Sequence, residues 1–413
     1  MSVSSLEFLI VALLGTAFFF YIPTAPLRRG FLALCNAAFL ALLIPNMPTW
    51  LMLTAFLLSG YLVAKLFGVW RSPWILGAYI LALVAVFVWL KEYAFLDYLL
   101  PAWMLTNPFA IVGLSYMLFR QIHFLVDVYQ GQIEDLSLWI YANYQLNLLM
   151  ILSGPIQRYQ DFVEYWNRCT PIISDTSELL NAYLRVFIGV VKIALFGAWC
   201  LEYYHSSMAH LTGAATGAFP MTALFGVREF ATAFYLYPAY VYFNFSGYCD
   251  IAIAVGALIG LKIPENFDKP YLSRNLIDFW TRQHRTLSFW IRDYLFTPMY
   301  KAIAENWPIY APSLAFACYF VAFLLAGIWH GSTLNFVIFG LLHGAGVSAC
   351  KLWENHIIKK RGRQGFKTYM HSRAVRVLAI GLTFNYVCFT FVFFTPDVAR
   401  KLLVMHAVFR ALV

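Results

Sequence analysis

Apolar residues run along this chain in long stretches separated by short polar punctuation, a pattern that predicts membrane-spanning helices. The first four are Leu6 to Tyr21, Gly30 to Ile44, Trp50 to Leu66 and Pro73 to Leu90. Some are short for a hydrocarbon core of about 30 Å. Arg28 and Arg29 follow the first stretch and Lys65 and Arg71 mark the end of the third, while the Pro45-Asn46-Met47-Pro48 turn after the second carries no charge. Basic loops stay in the cytoplasm, so the odd-numbered loops are expected there and the N-terminus outside.

From Leu96 to Gln132 the pattern is interrupted by Pro101 and Pro108, then resumes from Gly113 to Asp127. Within it Arg120, His123 and Asp127 recur at steps of three and four, on one helical face. They read as a polar stripe that satisfies itself inside the bundle, with a charge relay as the alternative. A further span is expected from Leu136 to Leu152, followed to Arg185 by interfacial or re-entrant helices carrying Tyr165, Trp166 and Arg168, then a span from Val186 to Trp199. His205 and His210 are five apart and share no helical face, which argues against a metal site. After Phe230 an aromatic span leads into Tyr242 to Asp250, and Gly256 and Gly260 are spaced for close helix packing. Asp250 would either orient a histidine or cap a helix.

The stretch from 270 to 346 holds three histidines. Pro264 to Pro270 breaks the apolar pattern, after which Ile277, Trp280, His284, Leu287, Ile291 and Tyr294 predict one helical stripe over Ser273 to Phe296. His284 lies on that stripe. Ser313 to His330 would be a helix of roughly 27 Å ending at His330, and His343 sits inside the next apolar run. His330 and His343 share a local pattern, each with glycine three residues before and one after, which would let another backbone or a substrate approach the ring. The basic stretch Trp353 to Arg376 reads as a cytoplasmic loop, and Val377 to Phe394 with a short tail to Val413 completes the bundle.

Composition sharpens this picture. With 62% hydrophobic and 12% charged residues among 413, no stretch separates as a soluble domain. The expected fold is an all-α polytopic membrane bundle of about 11 spans, with interfacial helices and a central funnel or tunnel. It is read as one integral membrane domain, residues 1–413, in which 1–95 are N-terminal spans, 96–394 the core and 395–413 a tail. The net charge of +9 lies between apolar runs, so it signals topology and attraction for anionic lipid or an acidic cytosolic protein, and not nucleic acid. The seven cysteines have no CxxC spacing and read as small hydrophobes. Residues 1–7 lack the basic start of a cleavable signal peptide, so the first apolar run should remain as a span.

Neither a G-x-S-x-G elbow, a P-loop, a dinucleotide fingerprint nor an HExxH motif is present. What remains is imidazole base chemistry in a dry site: a histidine takes a proton from a hydroxyl as it attacks an already activated acyl group. That chemistry needs no bound cofactor and no metal.

Four segments then carry a resemblance: Tyr242 to Asp250 (YFNFSGYCD), Pro264 to Trp280 (PENFDKPYLSRNLIDFW), His284 to Tyr294 (HRTLSFWIRDY) and Gly327 to Gly331 (GIWHG). With them the chain resembles the membrane-bound O-acyltransferases over about Gly113 to Phe394. The resemblance implies that His330 is catalytic and that His284 is also needed. Trp329, Asn244, Asp250, Trp280, Gln283, Ser288, Arg292, His343 and Arg158 are the accompanying substrate-tunnel candidates. Ser153 to Tyr159 (SGPIQRY) and Asp293 to Tyr300 (DYLFTPMY), without the GGNR element of alginate-type acetyltransferases, are similar to the branch that places D-alanine on teichoic acid.

That branch implies a thioester donor on a cytosolic phosphopantetheine carrier protein, or acyl-CoA, and an acceptor on an envelope glycan, teichoic acid or relay protein. It also implies a bacterial plasma membrane location and accessory membrane or extracytoplasmic proteins. Exopolysaccharide O-acetylation is the alternative within the family, and a transporter with a histidine proton path the alternative outside it. Gln283 stands where tryptophan is common in the family, Asn244 where aspartate is, and Cys249 where serine is.

Overall fold

A computed structural model describes residues 6–44, 46–93, 96, 98–101, 113–171, 176–218, 222–395 and 398–412. Pro108, Pro45 and residues 1–5, on which parts of the sequence reading fall, lie outside them. The described residues form helices joined by turns and short irregular segments, with no strand among them. Among the described residues seven helices are long and apolar enough to cross a membrane, and Leu9–Tyr21 and Leu314–His330 add shorter apolar helices. The chain is therefore an all-α, multi-pass membrane protein. Contacts divide it into two compact units, Met1–Val190 with Gly247–Glu265, and Val191–Ser246 with Asn266–Val413.

The first unit opens with α1 (Leu6–Tyr21), α2 (Ala25–Leu43), α3 (Met47–Phe67) and α4 (Pro73–Leu90), close to the four expected spans. Prolines stand in the first turns of α2, α3 and α4, where their missing N–H costs nothing and their fixed φ suits the helix. Asn46 caps α3 by accepting from the Thr49 N–H at 2.9 Å. In α5 (Leu114–Tyr129) the polar stripe pairs within the unit, with Arg120 Nη2 left without a hydrogen-bond partner among the described residues. Arg120 donates to the Tyr144 carbonyl at 2.7 Å, the His123 ring meets the Tyr144 hydroxyl at 2.9 Å, and Asp127 accepts from Gln160 at 2.9 Å.

Two expectations for this unit fail. Leu136 to Leu152 is not a span: α6 (Leu138–Gln145) has only 8 residues before the chain enters turns, and it buries the polar Asn143 and Gln145. Hydropathy alone did not register that these amides are paired inside the unit. Nor do Gly256 and Gly260 form a packing motif. Gly260 has φ +82 and ends a helix, with the Leu261 N–H returning to the Gly256 carbonyl at 2.8 Å. The amphipathic α7 (Tyr159–Arg168) does bury an aromatic face of Tyr159, Phe162, Tyr165 and Trp166. Arg185, on α8 (Thr176–Val191), pairs with Asp250 at 2.9 Å and with both oxygens of Glu265 at 2.6 Å.

In the second unit a π-helical turn, Lys192–Gly197, leads into α9 (Ala198–Ala215). The 36-residue α10 (Ala223–Leu258) carries Pro238 inside it, and its N-terminal part belongs to this unit. The irregular stretch after it ends in a single turn, Pro270–Leu272. The single stripe expected over Ser273 to Phe296 is instead two short helices, α11 (Leu276–Arg282) and α12 (Arg285–Ile291), broken at Gln283 and His284. A π-helical turn, Arg292–Phe296, and α13 (Thr297–Asn306) follow.

The helices α14 (Ala311–His330) and α15 (Leu334–His371) pack together at two facing glycines. A Cβ on Gly340 would fall on the Phe323 carbonyl oxygen, and one on Gly327 would fall on the Phe336 carbonyl oxygen. These glycines therefore serve backbone approach between helices. The expected loop at Trp353 to Arg376 is also overturned, because α15 continues to His371 with non-helical geometry only at Gly362. Lysine, arginine and glutamine are good helix formers, and charge alone does not end a helix. The final helices are α16 (Arg373–Phe391) and α17 (Val398–Leu412).

Candidate active site

Three elements of the second unit bring the histidines into one aromatic cluster. His330 is the last residue of α14, and Gly331 leaves the helix in extended geometry, so the ring stands at a helix end and not mid-wall. It packs edge-on against Trp329, Phe394 and Phe339, with ring centroids 4.6, 4.9 and 5.9 Å away. The half-buried His330 thus sits among rings.

His284 occupies the break between α11 and α12 with φ 47 and ψ 49, the left-handed region that costs a side-chain-bearing residue energy. Its Nδ1 lies 3.2 Å from Asn266 Oδ1. The same oxygen accepts from the Thr286 N–H at 3.2 Å and from the Thr286 hydroxyl at 2.9 Å. An atom receiving those donors is the amide oxygen, so His284 carries its proton on Nδ1 and presents a lone pair at Nε2. That Nε2 is buried and has no hydrogen-bond partner among the described residues. Burial, and then the neighbouring His330, lowers the His284 pKa to about 3, so the ring is neutral at ordinary pH. Phe245 at 4.8 Å and Trp329 at 6.2 Å flank it, so Trp329 contacts both His284 and His330.

His343 differs. It is fully buried on α15, Trp280 donates its indole N–H to Nδ1 at 3.3 Å, and Nε2 meets the Thr390 hydroxyl at 3.0 Å. The Thr390 hydroxyl in turn donates to the Val387 carbonyl at 2.8 Å. Nδ1 accepts and Nε2 donates, which commits both nitrogens. Phe339 lies between the two rings, 5.9 Å from His330 and 4.5 Å from His343.

The other sequence candidates separate. Trp329 lies between the two histidines, and Trp280 holds His343. Gln283, beside His284, has a buried side-chain oxygen with no partner among the described residues. The Ser288 hydroxyl is spent on the Gln283 carbonyl at 3.2 Å. Asn244, on α10, donates to the Tyr240 hydroxyl at 3.4 Å. Arg292 is exposed, paired with Asp293 at 2.8 Å and stacked over Phe289, so none of its described contacts involves a histidine. Asp250 and Arg158 belong to the first unit. There Asp250 lies inside α10, so it caps no helix end, and it pairs with Arg185.

Sequence reasoning quoted Asn266 within a motif but gave it no role, and it passed over Phe245, Phe339, Phe394 and Thr390. The available signal for Asn266 was an uncharged amide in the proline-bounded break just before the His284 helices. Among the described residues there is no group of three or more His, Cys, Asp or Glu placed to hold a metal ion.

Comparison with known proteins identifies the family. Residues 90–393 match the model of MBOAT, the membrane-bound O-acyltransferase family. The chain is 29% identical over 342 residues to a teichoic acid D-alanyltransferase of Bacillus subtilis (strain 168), covering 82% of each chain. It is 30% identical over 294 residues to one of Lacticaseibacillus rhamnosus, covering 69% of this chain and 68% of that one. A probable alginate O-acetylase of Pseudomonas putida is 30% identical over 247 residues, 59% of this chain and 46% of its own.

Proposed function

The chain belongs to the membrane-bound O-acyltransferase family, and from that premise we propose that it moves a D-alanyl group from a cytosolic carrier-protein thioester to an envelope hydroxyl. The acceptor is teichoic acid or a relay protein, and the whole chain acts as one enzyme in a bacterial plasma membrane with its N-terminus outside. An acyltransferase of this kind needs its base where water is scarce and its donor already activated.

The reading rests on one observation: two imidazoles flank Trp329, and one of them, His284, holds a buried Nε2 lone pair with no partner among the described residues. A buried acceptor without a donor costs free energy, and a substrate O–H or N–H would relieve it. In this proposal His330 is the general base. It takes the acceptor's hydroxyl proton as that oxygen attacks the thioester carbonyl, and the proton then passes to the departing thiolate. His284 is the second polar group, accepting a hydrogen bond at Nε2 from the acceptor or the acyl amine. Trp329 spaces the two rings, and His343 supports the wall from behind Phe339. The chemistry calls for no bound metal or cofactor beyond the donor's own thioester.

O-acetylation of an exopolysaccharide is the second reading, and the similarity to probable alginate O-acetylases favours it. One experiment separates the two. Mild base releases ester-linked groups from cells carrying wild-type or His330→Ala protein, and D-alanine and acetate are measured together. The expected result is loss of ester-linked D-alanine in the variant at near-normal membrane expression. Loss of acetate alone would replace the first reading with the second, and full ester levels in the variant would refute the role of His330.

A further inference from the structure

The densest positive charge in the chain lies away from the histidines. Residues 351–376 carry eight lysines and arginines and a single glutamate, Glu354, which already pairs with Lys351 at 3.0 Å. The segment is helical to His371 except at Gly362 (φ 69, ψ 171), where the helix breaks. Beyond the break, Phe366 and Met370 line a groove of about 540 Å³ whose other walls include Trp353, Leu378 and Leu382. Leu378 and Leu382 are 67% and 73% exposed, so this wall opens outward.

Arg274 also lines the groove. Its guanidinium gives one N–H to the Met370 carbonyl at 3.4 Å and has no ion pair among the described residues. The nearby Asp278 is committed to the Arg282 side chain at 2.7 Å, and to Arg274 it offers only an acceptor for the backbone N–H at 3.1 Å.

We propose that this groove binds an anionic phospholipid of the cytoplasmic leaflet, its phosphate on Arg274 and an acyl chain along Trp353, Phe366, Leu378 and Leu382. Both halves of the site select that occupant. The outward-facing apolar wall matches a hydrocarbon tail, and the unneutralised arginine beside a field of cations matches an anionic head. A soluble acidic protein would meet the charge and leave the apolar groove unfilled. A zwitterionic lipid would fill the groove and leave the net charge unmet. Basic segments flanking spans lie on the cytoplasmic side, where anionic lipid gives the surface its negative potential. The inference is independent of which acyl group the histidines transfer.

The test uses the full chain in vesicles of equal phosphatidylglycerol and phosphatidylcholine, extracted in detergent, with bound lipids counted by native mass spectrometry. Wild-type protein is expected to retain phosphatidylglycerol over phosphatidylcholine. Arg274→Gln should lower that preference about fivefold, the loss of one cation near the surface. Ala379→Trp, which fills the groove without changing charge, should reduce retention of both lipids, while Arg228→Gln, an exposed cation elsewhere in the same unit, should leave it unchanged. Elution of each variant as a monodisperse species verifies folding, and either groove variant suffices for the test. Equal retention of the two lipids by wild type, or an unchanged preference in Arg274→Gln together with unchanged retention in Ala379→Trp, overturns the proposal. So does loss of binding to an acidic carrier protein in Arg274→Gln with lipid counts unaltered, which would assign the surface to a protein partner.

Discussion

Replacing Asn266 by leucine keeps the branched shape and number of side-chain heavy atoms and removes the oxygen that receives His284 Nδ1–H, the Thr286 N–H and the Thr286 hydroxyl at 3.2, 3.2 and 2.9 Å. All three residues are buried. The threonine hydroxyl can rotate toward another carbonyl, but the other two donors are stranded, at about 1–3 kcal/mol each. A stability loss of roughly 2–6 kcal/mol is therefore expected, read from the melting of detergent-solubilised protein. The functional consequence is separate. Without Oδ1 nothing holds the His284 proton on Nδ1, the Nε2 lone pair is lost in part of the population, and kcat should fall by up to about 10²–10⁴.

Asn266→Asp distinguishes the two effects. It keeps the acceptor and adds a negative charge beside a ring whose pKa burial and His330 hold down to about 3. That charge favours the imidazolium, so the acid limb of kcat/KM should move to higher pH. The assay is transfer from a carrier thioester to a soluble hydroxyl acceptor across pH, on protein in lipid discs. A leucine variant that melts early yet keeps the wild-type kcat and pH profile would refute the reasoning, leaving Asn266 a structural residue only.

His343→Leu should cost about 1–3 kcal/mol by stranding the Trp280 N–H while the folded fraction transfers near the wild-type rate; a hundredfold loss of kcat would instead place His343 in the chemistry. Gly340→Ala puts a methyl on the Phe323 carbonyl oxygen, and the forced separation of α14 and α15 should destabilise by about 1–3 kcal/mol. An unchanged melting temperature would contradict that packing. His284 binds a proton near pH 3 when folded and near its ordinary 6.5 when unfolded, so between those values the unfolded chain holds the extra proton. Stability should then rise with pH across that window, by at most about 1.4 kcal/mol per pH unit, and this group adds no dependence above it. Melting of wild type and His284→Asn compared across the window would show equal slopes if burial of the neutral ring were not the cause.

The first four helices were legible because hydropathy and proline placement act locally: α4 begins at Pro73 and ends at Leu90, as the apolar run does. The motif around His330 was legible for the same reason, its residues being contiguous. The break at His284 was not. Steps of three and four along Ser273 to Phe296 look the same whether one helix or two carry them, and a left-handed backbone angle leaves no mark on a histidine. The basic stretch before His371 was misread because charge resembles a loop, although its residues favour a helix.

Composition and pattern determined a multi-pass helical membrane protein and three histidines worth weighing, and contiguous motifs carried its resemblance to an acyltransferase family. Which histidine is spent and which is open was decided only by tertiary structure. The partners that commit His343 come from 63 residues before it and 47 after it, and the amide that sets the proton on His284 comes from 18 residues before it. A hydrogen bond across such distances depends on how helices pack, and no window on the sequence contains it.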